Sequence, residues 1–413
     1  MNRRVFFILI VVCSLLTSAA SVTTRTGLRG QAVKPAATAA PPTIPFELVT
    51  RHIVLKVSVN NSRPLSFVLD TGDKYGVIDL ALARELGLTL QGEVRSGGAG
   101  PESRMGAFVR NASFTVAGLP GFSQPVALAL PIARMAPRFG HDFDGIIGGD
   151  FIKQFVVEVD YQARVIKLHD KASFKYAGSG EAIPIKINGA GHPTIEAEVT
   201  PLGSDPIKGQ FVVDIGSGGA LALHSPFVAE RKLLHPDLKT IKSIGAGGAG
   251  GLIQGQVGRV TELKIGSFRI SRPLTMFSQD KAGAFANSAL AGNIGAQIMN
   301  KFRIFLDYGN ERMILEPNAG LAEPFDRAFS GLSLVAEGKE YRTFRVMELL
   351  ENSPASEAGL QKGDIITAVD GKPAAQLTLT NINDLLERSA AYTLTVQRGD
   401  QILKVKLTPR KLV

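Results

Sequence analysis

Two Asp-Gly turns carry the chemistry this chain could do. Phe67-Val68-Leu69-Asp70-Thr71-Gly72 recurs 144 residues later as Phe211-Val212-Val213-Asp214-Ile215-Gly216. Each copy sets a carboxylate after an apolar run and before a glycine. A carboxylate at the end of a buried strand is costly to bury alone. The glycine lets that turn approach another backbone closely. Two such carboxylates placed face to face cannot both ionise cheaply, so they share one proton. One member can then take a proton from water while the other donates to a carbonyl oxygen, the two halves of peptide hydrolysis.

The elements that would position these turns are themselves duplicated. Asp79 and the LALARELGL that follows it read as a capped helix. Ser225-Pro226 before FVAERKLL reads as its partner, with Ser225 as cap and Pro226 in the first turn. NASFTVAG ending at Gly118 matches RVTELKIG ending at Gly266. Ile146-Ile147-Gly148 matches Asn293-Ile294-Gly295, and Asp160-Tyr161 matches Asp307-Tyr308. The features keep one order in both halves, at a near-constant spacing of about 147 residues. The intervening segments are short and rich in Val and Ile, as strands are. The reading is a mainly β fold: two β-barrel lobes, residues 46–178 and 179–320, related by a pseudo-twofold duplication, followed by a small α+β module over 325–413.

This frame resembles the aspartic peptidases, retroviral and pepsin-like, and most of all bacterial single-chain members whose lobes resemble retropepsin monomers. The resemblance implies Asp70 and Asp214 as the catalytic pair of an aspartic-type endopeptidase. It implies Thr71, Gly72, Gly216 and Ser217 as supporting turn residues, and the triplets at 146–148 and 293–295 as the loops crossing beneath the turns. The glycine-rich stretches 96–100 and 245–251, with Gly97, Gly98, Gly247 and Gly248, fall where the family places its flaps. Two positions depart from the family pattern. Ile215 stands where the family has Thr or Ser, and Asp73 adds a third carboxylate near the pair. The alternative is therefore a catalytically degenerate protein that binds peptide in the same cleft.

The last module resembles the bacterial form of the PDZ domain. The carrying residues are Ser353-Pro354-Ala355, Ala358-Gly359-Leu360, Gly363-Asp364-Ile365 and Val369-Asp370-Gly371. Pro354 is expected to start a short helix that Gly359 ends. A second helix is expected over 379–388. PDZ domains bind a peptide as an added strand. The resemblance places that site near Gly331 and Leu332 and along Ile382 and Leu385, with a C-terminal peptide as one possible ligand. For Ile382 and Leu385 a plain core role stands beside this one, and Arg327 and Arg342 read as solvated surface.

Composition bounds the rest. The chain has 413 residues, a net charge of +9, 44 Gly, six His and one Cys. A disulfide scaffold and a Cys-based metal site are excluded. The basic residues are scattered, without a stripe suited to nucleic acid. The His residues are dispersed, no phosphate loop or nucleophile elbow occurs, and no cofactor or metal is expected. Asn2-Arg3-Arg4, the apolar run Val5–Leu16 and the small residues Ser18 and Ala20 read as a signal peptide over 1–20. Residues 21–45 read as a linker. The expected location is periplasmic or secreted, with membrane contact only if the leader is retained.

Overall fold

A computed structural model describes residues 40–116, 119, 122–123 and 127–413. The leader, most of the linker and Gly118 lie outside the described residues. Thr43–Pro45, within the stretch read as linker, forms a strand beside Val165–Lys167.

The duplication is written in the strand order. In lobe 1 the sheet runs Thr89–Ser96, Arg104–Arg110, Ala127–Leu130, Gly76–Asp79, Gly145–Ile147, Leu65–Leu69, His52–Val59, Ser113–Val116. Lobe 2 repeats it as Ile241–Lys242, Gly255–Arg259, Leu274–Ser278, Leu221–Leu223, Gly292–Gly295, Ile207–Asp214, Pro193–Thr200, Glu262–Ile265. Among the described residues each is a ten-stranded sheet, and no closed barrel is formed. In each, the strand that ends at the aspartate pairs in parallel with the triplet strand: Leu69 with Ile147, and Val213 with Ile294. Phe67–Leu69 and Phe211–Val213, the last residues of these strands before the aspartates, are buried on both faces, hence their unbroken apolar runs.

A third sheet, of six strands, joins the lobes. At its centre Val156–Asp160 runs antiparallel to Phe302–Asp307, with Val157 opposite Leu306 and Val159 opposite Ile304. The hairpin partners Val165–His169 and Arg312–Pro317 flank this pair symmetrically. One apolar core spans both lobes, from Phe67 and Phe151 to Phe211 and Phe302.

The capped helix of lobe 1 is Leu80–Glu85, where the Asp79 carboxylate accepts from the N–H groups of Ala81 and Leu82. Its lobe 2 counterpart, Ser225–Glu230, begins one residue earlier than read, with His224 as cap residue. Ser225 does not cap, because its hydroxyl donates to the carbonyls of Asp280 (2.5 Å) and Phe285 (3.2 Å) instead.

The C-terminal module has its own core around Phe344, Ile366, Leu394 and Val396. Its sheet starts at the edge strand Leu332–Glu337 and passes through Thr343–Leu349, Ile365–Val369 and Tyr392–Arg398 to Gln401–Leu407. Its helices are Pro354–Glu357, with a Ser353 capping box, and Leu379–Leu386. Among the described residues no helix is long and apolar enough to cross a membrane.

Candidate active site

Asp70 and Asp214 lie side by side at the junction of the lobes, close enough for the Asp214 charge to help hold Asp70 above the usual carboxylate range. Gly72 and Gly216 make the approach possible. A Cβ at Gly216 would overlap the Asp70 carboxyl, and one at Gly72 would lie 3.0 Å from both carboxylates. The Gly72 N–H donates to Asp70 Oδ1 at 2.6 Å, and the Ser217 N–H donates to the Asp214 backbone carbonyl at 3.2 Å.

Thr71 is fully buried and ties the turns together. Its hydroxyl donates to the Val213 carbonyl (2.6 Å) and accepts from the Ile215 N–H (3.0 Å). Ile215 cannot return this pair of bonds. Its side chain is fully buried in the common core, so the turns are locked from one side only.

The two carboxyls are not equivalent. Burial, then the charges of Asp214 and Asp73, push Asp70 well above the usual carboxylate range. Burial raises Asp214 too, but it is opposed by hydrogen bonds from Asn293 and Asp70 and by the nearby His192. Both carboxyls are thus raised by burial, and Asp214 alone has a neutral amide and a histidine that favour its charged form. Asp73 is itself pushed up to about 6 by burial and by Asp214.

Sequence reasoning missed three residues here. Asn293 Nδ2 donates to Asp214 Oδ2 at 2.8 Å, and Asn293 Oδ1 lies 2.9 Å from His224 Nε2. A carbonyl oxygen only accepts, so His224 Nε2 carries the hydrogen. The signal was present in the sequence. Asn293 is a polar residue where the matching triplet of lobe 1 has Ile146. His192 left no such signal, because the loop that carries it has no counterpart pattern.

The glycine-rich stretches meet each other. Glu102 N–H donates to the Gly250 carbonyl (2.8 Å) and Gly250 N–H to the Ala99 carbonyl (2.9 Å). Gly98 packs on Ala249, and Gly248 on Ala99. Gly247 lies on a short strand paired with Leu252, whereas a Cβ at Gly97 would meet only the Glu102 carbonyl oxygen, at 3.9 Å. Chemically, the site offers two carboxyls side by side, both raised by burial of their charge and each still partly open to solvent.

Two regions of the sequence match known families. Residues 55–151 match the family described as aspartyl protease, and residues 345–398 match the family described as PDZ domain. The chain carries an aspartyl protease domain and a C-terminal PDZ domain. Among curated proteins it is similar to "Serine protease HTRA1" of Xenopus laevis, 27% identical over 67 residues, which are 16% of this chain and 14% of that protein. It is also similar to the "Probable CtpA-like serine protease" of Staphylococcus haemolyticus, 24% identical over 138 residues, 33% of this chain and 26% of that protein. The chain thus spans between a seventh and about a quarter of the length of these relatives. A crystal structure of the HtrA3 PDZ domain with a phage-derived ligand shares 24% identity, with 20% of this chain and 85% of that one covered and a TM-score of 0.19. These curated relatives are named serine proteases, which overturns the expectation of an aspartic-type endopeptidase as the enzyme class.

Within the PDZ domain the expected ligand residues are largely committed elsewhere. Ile382 is fully buried in the core, and Leu385 packs partly buried against it, so the core role holds for both. Gly331 has φ +81° and abuts Ser353, and the Leu332 N–H donates to the Ser330 hydroxyl oxygen at 3.2 Å. Arg327 is not solvated surface: it pairs with Glu387 at 3.1 Å. Arg342 donates to the Leu377 carbonyl at 2.5 Å.

Proposed function

We propose that the cleft between the lobes holds an extended peptide, whose backbone meets Asp70 and Asp214 as a pair sharing one proton. The observation that carries this reading is the close approach of the Asp70 and Asp214 carboxyls, which Gly72 and Gly216 permit. A donor beside an acceptor matches a peptide carbonyl beside its ordered water or N–H. The paired glycine-rich loops would cover the peptide, since glycine permits close backbone approach. Ile215 and Asp73 favour binding as the basic property, because the turns are locked on one side only and a third carboxylate loads the site. The PDZ domain would hold a peptide segment or chain end. The charged start, apolar run and small residues at 18 and 20 support export to the periplasm or beyond.

The test is calorimetric titration with a statine-type peptide, whose hydroxyl replaces a backbone carbonyl, from acid to neutral pH. Binding should weaken as pH rises and the dyad loses its proton. Asp70→Asn and Asp214→Asn should each reduce affinity at least tenfold. Equal affinity across the wild type and both variants would remove the dyad from the reading. Peptide fragments released in the same mixtures, and absent with the variants, would extend it from binding to turnover.

A further inference from the structure

The PDZ domain is packed against lobe 1 by its own recognition elements. Strand Leu332–Glu337 is a sheet edge, the kind of edge to which an extended peptide adds. Helix Leu379–Leu386 lies beside it. Lobe 1 residues 136–140 are seated on both. Gly140, at φ +64°, fits so closely that a Cβ there would lie 2.5 Å from Leu379 Cβ and 3.4 Å from Ala336 Cβ. Tyr341 packs both on the PDZ core and on the lobe 1 cluster that contains Ala136 and Phe143.

The same segment grips the second glycine-rich loop. Arg138 Nη1 donates to the Gly245 carbonyl at 2.9 Å, and Arg134 Nη2 donates to the Ala249 carbonyl at 2.8 Å. From the PDZ side, Glu348 accepts from the Gly245 N–H at 3.3 Å. A second tether joins the domains nearby. The Thr50 N–H donates to Thr380 Oγ1 at 3.1 Å, and Arg51 forms an ion pair with Glu387. Thr50 and Arg51 both have positive φ, 45° and 73°, in the two-residue turn after strand Glu47–Val49. That geometry favours Asn or Gly, so docking on the PDZ helix holds a turn these residues disfavour.

We propose that the edge of strand Leu332–Glu337 is an interaction surface held closed by residues 136–140, and that an extended peptide competing for this edge releases the loop 245–252. The coupling is mechanical. Arg134, Arg138 and Gly140 lie within seven residues of chain, so lifting Gly140 from Ala336 and Leu379 draws both arginines off the loop. The internal occupant is a short helix, Ala136–Phe139, ended by Gly140, so it covers the edge without adding a strand to it. An extended peptide can reach the edge only when this turn leaves, and the same segment supplied as a free peptide competes for the same seat. A tethered segment competes at an effective concentration in the millimolar range, so an added peptide meets a strong internal rival. This inference does not depend on the chemistry of Asp70 and Asp214.

The probe is a labelled synthetic peptide of residues 133–142, added to the full chain. Gly140→Val should expel the internal segment, since a β-branched residue at positive φ is strained and would strike Leu379. The peptide should bind Gly140→Val at least tenfold more tightly than wild type. Amide exchange over 245–252 should rise at least tenfold in that variant, and also in wild type saturated with peptide, with 207–214 unchanged. Arg138→Ala, which leaves the seat intact, should speed exchange over 245–252 while keeping the wild-type peptide affinity. Equal affinity for wild type and Gly140→Val, binding to neither, or unaltered exchange over 245–252 in Arg138→Ala and in peptide-saturated wild type would each overturn the proposal. The last two measurements decide the matter even if Gly140→Val does not fold.

Discussion

Asn293 and Ile146 occupy the same place in the two lobes, and Asn293 alone delivers a hydrogen bond to a carboxylate. Ile146 pairs with Val68 and Val77, Asn293 with Val212 and Ala222. The amide of Asn293 reaches Asp214, and His224 holds that amide from behind. The duplication thus supplies two matching aspartates, and one substitution makes them unequal.

Replacing that amide should alter the titration of Asp214. A hydrogen bond to the ionised form lowers a carboxyl pKa, so Asn293→Leu should raise it. Hydrogen bonds to charged groups contribute about 1.5–3 kcal/mol, enough for the rise to be resolved in a titration. Carboxyl carbon shifts followed by NMR against pH measure this directly. His224→Ala should move the same resonance by less, since it acts only through the orientation of Asn293.

The two turn glycines should differ in sensitivity. A methyl at position 216 overlaps the Asp70 carboxyl, whereas one at 72 only crowds both carboxyls. Gly216→Ala should separate the pair and bring Asp70 back toward ordinary carboxylate values. Gly72→Ala should leave the pair coupled. Parallel NMR titrations of the two variants distinguish these outcomes.

Asp73 gives the stability a pH dependence whose sign can be worked out. Its folded pKa, about 6, lies above its ordinary value of 3.8. The folded state therefore binds this proton more tightly than the unfolded state. The stabilisation is fully present below pH 3.8 and is lost as pH rises through about 6. Asp73→Asn removes the titration. Relative to wild type it should gain about 1–3 kcal/mol between pH 3.5 and pH 7. Urea denaturation at both pH values checks this, and an identical pH dependence in the two proteins would contradict it.

Thr71 should be costly to change despite its small size. Thr71→Val keeps the shape but leaves the Val213 carbonyl and the Ile215 N–H without their partner in a buried place. Each unpaired group costs about 1–3 kcal/mol, so a loss of about 2–5 kcal/mol is expected in equilibrium unfolding. Thr71→Ser, which keeps the hydroxyl, should recover most of it.

The parts of this molecule that repeat were legible in its sequence. Strand runs that end in Asp-Gly, and the triplets paired with them, are local patterns written twice, and both reappear with one strand order. The PDZ module was legible because its turns demand glycine and proline at fixed spacing. Other features left weaker traces. Asn293 broke an apolar pattern but carried no motif of its own. Ser225 looked like a cap because Ser before Pro commonly is one; a tertiary contact with Asp280 and Phe285 claimed its hydroxyl. The seat of Gly140 on Leu379 left no trace, since it joins residues about 240 positions apart with no pattern linking them.

The central pairing of Val156–Asp160 with Phe302–Asp307 also bears on how the chain is made. Val156–Asp160 has a hairpin neighbour on one side, and its other side is covered by residues synthesised more than 140 positions later. Throughout that interval a half-made chain presents an apolar strand edge, open to any strand that meets it. The late arrival of Phe302–Asp307 closes that edge and, in the same movement, brings the second lobe up to the first. Protection from misassembly and completion of the cleft are a single event in the life of the chain.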